Sequence, residues 1–346
     1  MTGKCAVCHK PSNSFNYGIE SCGACKVFFR RTIIGKPVKP CRNSENCQSS
    51  TCRLCRLQKC IQSGMIFKMS KIQSDQDSLT GFLNHLKELN SHRNRQIFSF
   101  RFDGDPTVEE IAKLPGPILF ETRPKNYEMS NIEWGNFVAL TIDYMKKFNF
   151  LNLLDLKDRV LLIENSFTDF DMLSNAFRAF ESKKACSLYP DGSDIFLKTD
   201  FVVCKTLENK IRCELVGRLC ELEITIEEFL LLTTVFFCNP AISNLTETGK
   251  TVLTSHQKVY TSLLFQYCLL KYQQNGPTRF TNLLSLFSSA KNAHKDIGHH
   301  YFLCNLKIGN LPFRKLFNHE YPTRNDVYRL TVFYLEIHLT LCFVVL

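Results

Sequence analysis

Acidic residues are nearly missing from the first 66 positions of this 346-residue chain: Glu20 and Glu45 stand against eleven lysines and arginines. That segment carries +9 of the formal net charge of +10, and the remainder is close to neutral. A small module so short of negative charge points to an anionic polymer as its partner, although charge alone is equally compatible with a merely soluble basic surface. The opening residues Met-Thr-Gly-Lys-Cys-Ala-Val-Cys hold no apolar run and no small-residue cleavage site, so a secretory leader is not expected. Long hydrophobic runs are scarce as well. The stretch Phe229 to Thr246 is marginal in length, is broken by Asn239-Pro240 and turns polar, and the apolar C-terminal end holds Arg329, Glu336 and His338. A membrane partner is therefore not expected. There is no internal repeat, low-complexity tract, phosphate loop or nucleophile signature. His294, His299 and His300 have no metal-ligand neighbours in the sequence, so an enzyme is not expected.

Cysteine, by contrast, is abundant. Nine of 17 fall within the first 60 residues, and the other eight are dispersed singly, as small buried hydrophobes are. In a chain expected to keep its thiols reduced, the clustered nine read as metal ligands rather than a disulfide framework. Cys5-x2-Cys8 and Cys22-x2-Cys25 are two knuckles, each aiming two thiolates at one point, and together they complete a tetrahedral zinc shell. Cys41-x5-Cys47 with Cys52-x2-Cys55 reads as a second such shell, in which Cys60 could on spacing alone replace Cys52. Four thiolates leave no position open for water, so both zinc ions are expected to be structural.

A helix is expected after the second knuckle. At about 100° per residue, Cys25, Phe28, Phe29, Thr32 and Ile33 share one face, and Lys26, Val27, Arg30 and Arg31 share the other. Such a cationic face is usually just solvated. This one has no acid partner and a valine at its centre, which suits the major groove of DNA: lysine or arginine for guanine, an aliphatic group for a thymine methyl.

The sequence Cys5-x2-Cys8-x13-Cys22-x2-Cys25-Lys26-x-Phe28-Phe29-Arg30-Arg31, with Cys52-x2-Cys55-Arg56-x2-Lys59-Cys60-x3-Gly64-Met65, resembles the DNA-binding domain of nuclear hormone receptors, in a divergent form of nematode type. The resemblance implies that Cys60 is not a ligand. It implies half-site discrimination by Gly23, Ala24 and Val27, base contacts by Lys26 and Arg31, and a place beside the phosphate backbone for Tyr17; Arg30, on the same outward face, is expected to hold phosphate as well. It also implies a DNA-dependent dimer contact at 42–46, to a like or unlike partner. One departure stands out: only Gln48, Ser49, Ser50 and Thr51 separate the second and third ligands of the second module, where the family usually has about nine residues. The second site is still expected to form, because four extended residues, at about 3.3 Å each, can bridge two ligands. Weaker DNA affinity is expected with it.

Beyond the module, 67–100 reads as a polar hinge with a short helix around Leu79–Leu89. The region 101–322 reads as an all-α domain, which the resemblance implies is a ligand-binding domain, and 323–346 as an atypical tail. The stripe Trp134, Phe137, Val138, Thr141, Met145, Phe148 predicts a helix. Asp155 predicts an N-cap, and helices are expected at 226–238, at 250–274 (stopped by Gly276-Pro277) and from about Thr278. Tyr189 to Asp194 is a turn signal that predicts one short hairpin between 195–197 and 201–203. Met145-Lys146-Lys147-Phe148 through Asp158-x2-Leu161-Leu162, and Phe229 through Asn239-Pro240, resemble segments of the receptor ligand-binding domain. That implies a three-layer helical sandwich around an apolar cavity for a lipophilic ligand, with Lys146 and Glu320 gripping the two ends of a coregulator helix. The function implied is a sequence-specific, zinc-dependent transcription factor in the nucleus, bound to a double-stranded response element. The alternative is a receptor-like protein-interaction factor whose shortened second module has lost useful DNA binding.

Overall fold

In the computed structural model the described residues are 3–35, 38–39, 41, 47, 52–67, 72–102, 104–114, 117–124, 134–189, 192–196, 203–308 and 315. Near the N-terminus, β1 (Phe15–Asn16) and β2 (Ile19–Glu20) pair antiparallel across Tyr17-Gly18. Both turn residues have positive φ, +54° and +91°, as a tight two-residue hairpin requires. Helices α1 (Gly23–Ile33) and α2 (Arg53–Gln62) complete the small module.

The large region is helical: α3 (Ile72–Ser99), α4 (Val108–Lys113), α5 (Trp134–Met145), α6 (Asn149–Leu153), α7 (Leu156–Glu164), α8 (Phe167–Glu181), α9 (Lys205–Leu222), α10 (Ile226–Phe237), α11 (Glu247–Tyr272) and α12 (Gly276–Ile308). Helices α8 and α10 form its middle layer and are buried along most of their length. On one side α3 packs against α10 and α5 against α8; on the other lie α9, α11 and α12. That is the three-layer arrangement expected. The N-caps follow the local chemistry. Asp155 accepts from the Asp158 amide at 2.8 Å, and Thr225 forms a reciprocal box with Glu228, whose carboxylate also holds Arg279 of α12 at 2.7 Å. Gly276-Pro277 opens α12, where proline is tolerated in a first helical turn; α11 has already ended at Tyr272, with Gln273 at φ +50° and a short 3-10 turn over Gln273–Asn275 between the two helices.

Three features differ from the sequence reading. The segment 72–99, expected to be mostly polar hinge, is one 28-residue helix, α3, with Leu79, Phe82, Leu86 and Ile97 buried. Its stripe was obscured by Arg93, which is 4% exposed, pairs with Asp171 and lies over the Phe170 ring at 4.6 Å. A second ladder, β3 (Phe100–Arg101) with β4 (Glu121–Thr122), was not foreseen. Most of the expected hairpin falls outside the described residues; a single bridge, Leu188 to Asp194, stands beside it.

Buried side chains run as one cluster from the small module into the large region. At the junction Asn149 is 3% exposed. Its carboxamide donates to the Thr32 carbonyl at 2.8 Å and the Gly35 carbonyl at 3.3 Å, and accepts from the Val38 amide at 2.7 Å. Beside it Phe82 stacks on Tyr260 at 5.3 Å, and His256 sits edge-on to Phe150. Burial pushes the His256 imidazole down to about 4. An unfolded imidazole takes its proton near pH 6.5, so acid favours the unfolded chain. The stability contributed by neutral His256 is present above that pH and is lost as pH falls towards 4, by about 3 kcal/mol in full. Denaturation followed by the fluorescence of the chain's one tryptophan, Trp134, should show this pH dependence, and His256→Leu should flatten it.

Candidate nucleic-acid interface and its zinc sites

Two groups of four thiols converge in the small module: Cys5, Cys8, Cys22, Cys25, and Cys41, Cys47, Cys52, Cys55. Within each group the sulfurs lie within 4.8 Å of one another, with Cys8 and Cys22 at 3.6 Å and Cys41 and Cys47 at 3.4 Å. Tetrahedral zinc with bonds near 2.3 Å separates its sulfurs by about 3.8 Å, so both sets fit that ion. The chemistry agrees: burial, then the neighbouring Cys41 and Cys52, push the Cys55 thiol up to about 12, and a divalent cation is what lets such a group ionise together. When bound, zinc supplies cross-links and no reaction, since each shell is closed. Cys60 is fully buried and lies outside both groups. The four residues of the short spacer, 48–51, lie outside the described residues, yet the flanking ligands Cys47 and Cys52 converge.

Arg56 links the two modules. Its guanidinium donates to Cys25 Sγ at 3.3 Å and covers the Phe28 ring at 4.4 Å. The sequence motif contained Arg56 without revealing this role.

Helix α1 buries Cys25, Phe29, Thr32 and Ile33, with Phe28 half-buried, as the wheel predicts. Lys26 and Arg31 are exposed, Val27 is 39% exposed, and Arg30 is half-buried. Among the described residues no carboxylate pairs with Lys26, Arg30 or Arg31. Gly23 and Ala24 are exposed at the helix start, with open space where a Cβ on Gly23 would stand. Beside the C-terminal turn a cleft of about 430 Å³ runs between Arg30, Arg31 and the α3 residues Asp77, Ser78 and His85. Tyr17 is half-buried, with its ring 5.3 Å from Phe29 and stacked on Phe67 at 5.9 Å. It therefore helps fix the angle of α1 by packing. The loop 42–46 and Glu320 lie outside the described residues. Lys146, at the end of α5, donates to the Leu114 carbonyl at 2.9 Å.

A profile described as a double treble clef zinc finger of C4 type matches residues 3–67. A second, for the ligand-binding domain of nuclear hormone receptors, matches residues 133–307. The chain belongs to the nuclear hormone receptor family. The receptor is 39% identical over 327 residues to nuclear hormone receptor family member nhr-167 of Caenorhabditis elegans, covering 90% of this chain and 95% of that one. It is 36% identical over 321 residues to member nhr-9 of the same organism, covering 90% and 94%. No helix among the receptor's described residues is long and apolar enough to cross a membrane.

Metal analysis of the purified receptor should give two zinc equivalents, and a strong chelator should remove the helical signal of α1 and α2. Because thiolates are the ligands, zinc affinity should fall as pH is lowered. A single equivalent would mean that the shortened second module does not bind.

Proposed function

We propose that this receptor is a nuclear, sequence-specific transcription factor that reads double-stranded DNA through the outward face of α1. The observation that carries the reading is that face itself: Lys26, Val27 and Arg31 are open to solvent, without acid partners among the described residues, on a helix anchored by a four-cysteine site. Lys26 and Arg31 are assigned to base edges, Gly23, Ala24 and Val27 to discrimination between half-sites, and Arg30 and Tyr17 to phosphates. The pairing loop at 42–46 is assigned to a homo- or heterodimer partner.

The large domain is assigned a lipophilic ligand and coregulator proteins. Its interior supports the first. Arg93 Nε, Tyr144 Oη, Ser174 Oγ and Arg178 Nη1 are buried without hydrogen-bond partners among the described residues, next to Phe170. Burial lowers the Arg178 guanidinium to about 10. An apolar ligand with a polar, electron-rich end suits such surroundings. Lys146, and Glu320 further along the chain, are the candidate grips for a coregulator helix.

Selection of bound sequences from random DNA tests the reading directly. Lys26→Ala should cost roughly 1–3 kcal/mol on the preferred site and relax one base position. Val27→Ala should alter preference without changing the salt slope, since no phosphate charge is neutralised by valine. Should both variants keep the selected sequence and its affinity, α1 is not the reading element, and the protein-interaction reading takes its place.

A further inference from the structure

Lys146 follows directly on the last residue of α5. Its ammonium is already engaged by the receptor's own chain, since it donates to the carbonyl of Leu114. Leu114 is the C-cap of α4, and a second cation closes the same helix end: Arg159 donates from Nη1 to the Ala112 carbonyl at 3.1 Å. The last carbonyls of a helix have no partner inside the helix, so these two bonds fix α4 at its C-terminus.

Helix α4 has the make-up of a docked peptide. Its apolar side chains, Val108, Ile111 and Ala112, stand at i, i+3 and i+4, and each is 1% exposed or less. Its outer face carries the solvent-exposed pair Glu109–Lys113. Thr107 and Glu110 close its N-terminus with a reciprocal capping box. The helix lies against α7 and is flanked by segments whose backbone is extended or irregular. At its N-terminal side the Lys315 amide donates to Asp105 Oδ1 at 2.7 Å, which brings the chain beyond α12 to the opposite end of α4 from Lys146.

We propose that residues 107–114 are an intramolecular plug, which occupies the groove that would otherwise take an amphipathic helix of the same apolar spacing from a coregulator protein. The inference rests on the reading of Lys146 as a coregulator grip and adds that the grip is filled in the free receptor. Helix-in-groove recognition uses anchors at i, i+3 and i+4, the pattern of α4. A partner must therefore displace α4, and its apparent affinity is reduced by the fraction of receptor that stays plugged.

The test uses the full-length receptor and a fluorescein-labelled peptide spanning its own residues 105–114. Ile111→Asp, which ejects the plug, should bind the peptide at least tenfold more tightly than the wild type. Adding Lys146→Ala in the same chain should abolish the gain. Equal binding to wild type and Ile111→Asp overturns the proposal. As a check that does not depend on the folding of Ile111→Asp, Lys146→Ala alone should speed amide exchange across 108–113 at least tenfold; unchanged exchange overturns it too. A Leu-x-x-Leu-Leu peptide of unrelated flanks separates the two claims. Binding to Ile111→Asp and only weakly to the wild type supports the shared groove. If the receptor's own peptide binds and this one does not, the coregulator reading fails while the intramolecular docking stands.

Discussion

The convergence of eight thiols on two points is the constraint from which the small module takes its shape. Helices α1 and α2 begin at Cys22 and Cys52, and neither residue caps its helix through a side-chain hydrogen bond. Both helix starts are set by ligand positions instead. Packing of Phe29, Leu57 and Met65 then fills the space between the helices, but so small a core needs the metal to hold it. The orientation of Lys26, Val27 and Arg31 follows from that framework.

The large domain is stabilised differently. Its middle layer, α8 and α10, is buried over most of its length, and two of the charges inside are paired in place, Arg93 with Asp171 and Glu228 with Arg279. A buried ion pair of this kind adds little net stability, but removing one partner leaves an isolated charge in a medium that solvates it poorly. Elsewhere in the interior His294 meets the Asp169 carboxylate at 2.7 Å, and the His300 ring lies 4.3 Å from that of Phe196, tilted by 46°.

Much of this was legible in the sequence, because the strongest signals were local. Ligand spacing located both thiol groups, and a 3.6-residue period separated the buried and open faces of α1. Asp155 and Thr225 act at helix starts within three residues of themselves, and of the two only Asp155 is expected as a cap from the sequence. Helix α3 was hidden because its buried stripe passes through an arginine whose partner lies 78 positions away. Helix α4 carries a local signal, the capping pair Thr107-x-x-Glu110, but Pro106, Pro115 and Pro117 around so short a segment read as irregular chain. The Asn149 contacts could not be read at all: they join positions more than a hundred residues apart, and no local pattern records them.

Those Asn149 contacts have a directional consequence. A single carboxamide, closed in from water, ties the last turn of α1 and the backbone just beyond it to α6 through three hydrogen bonds. With that tie in place the large domain cannot swing freely about the small one. A duplex seated on the open side of α1 would meet the large domain at one fixed bearing around its axis. Two receptors on one duplex would then present their large domains to the same side only when their sites differ by whole helical turns, about 10–10.5 base pairs each. Rotational phase along the DNA, as well as the letters read, would thus be written into the junction.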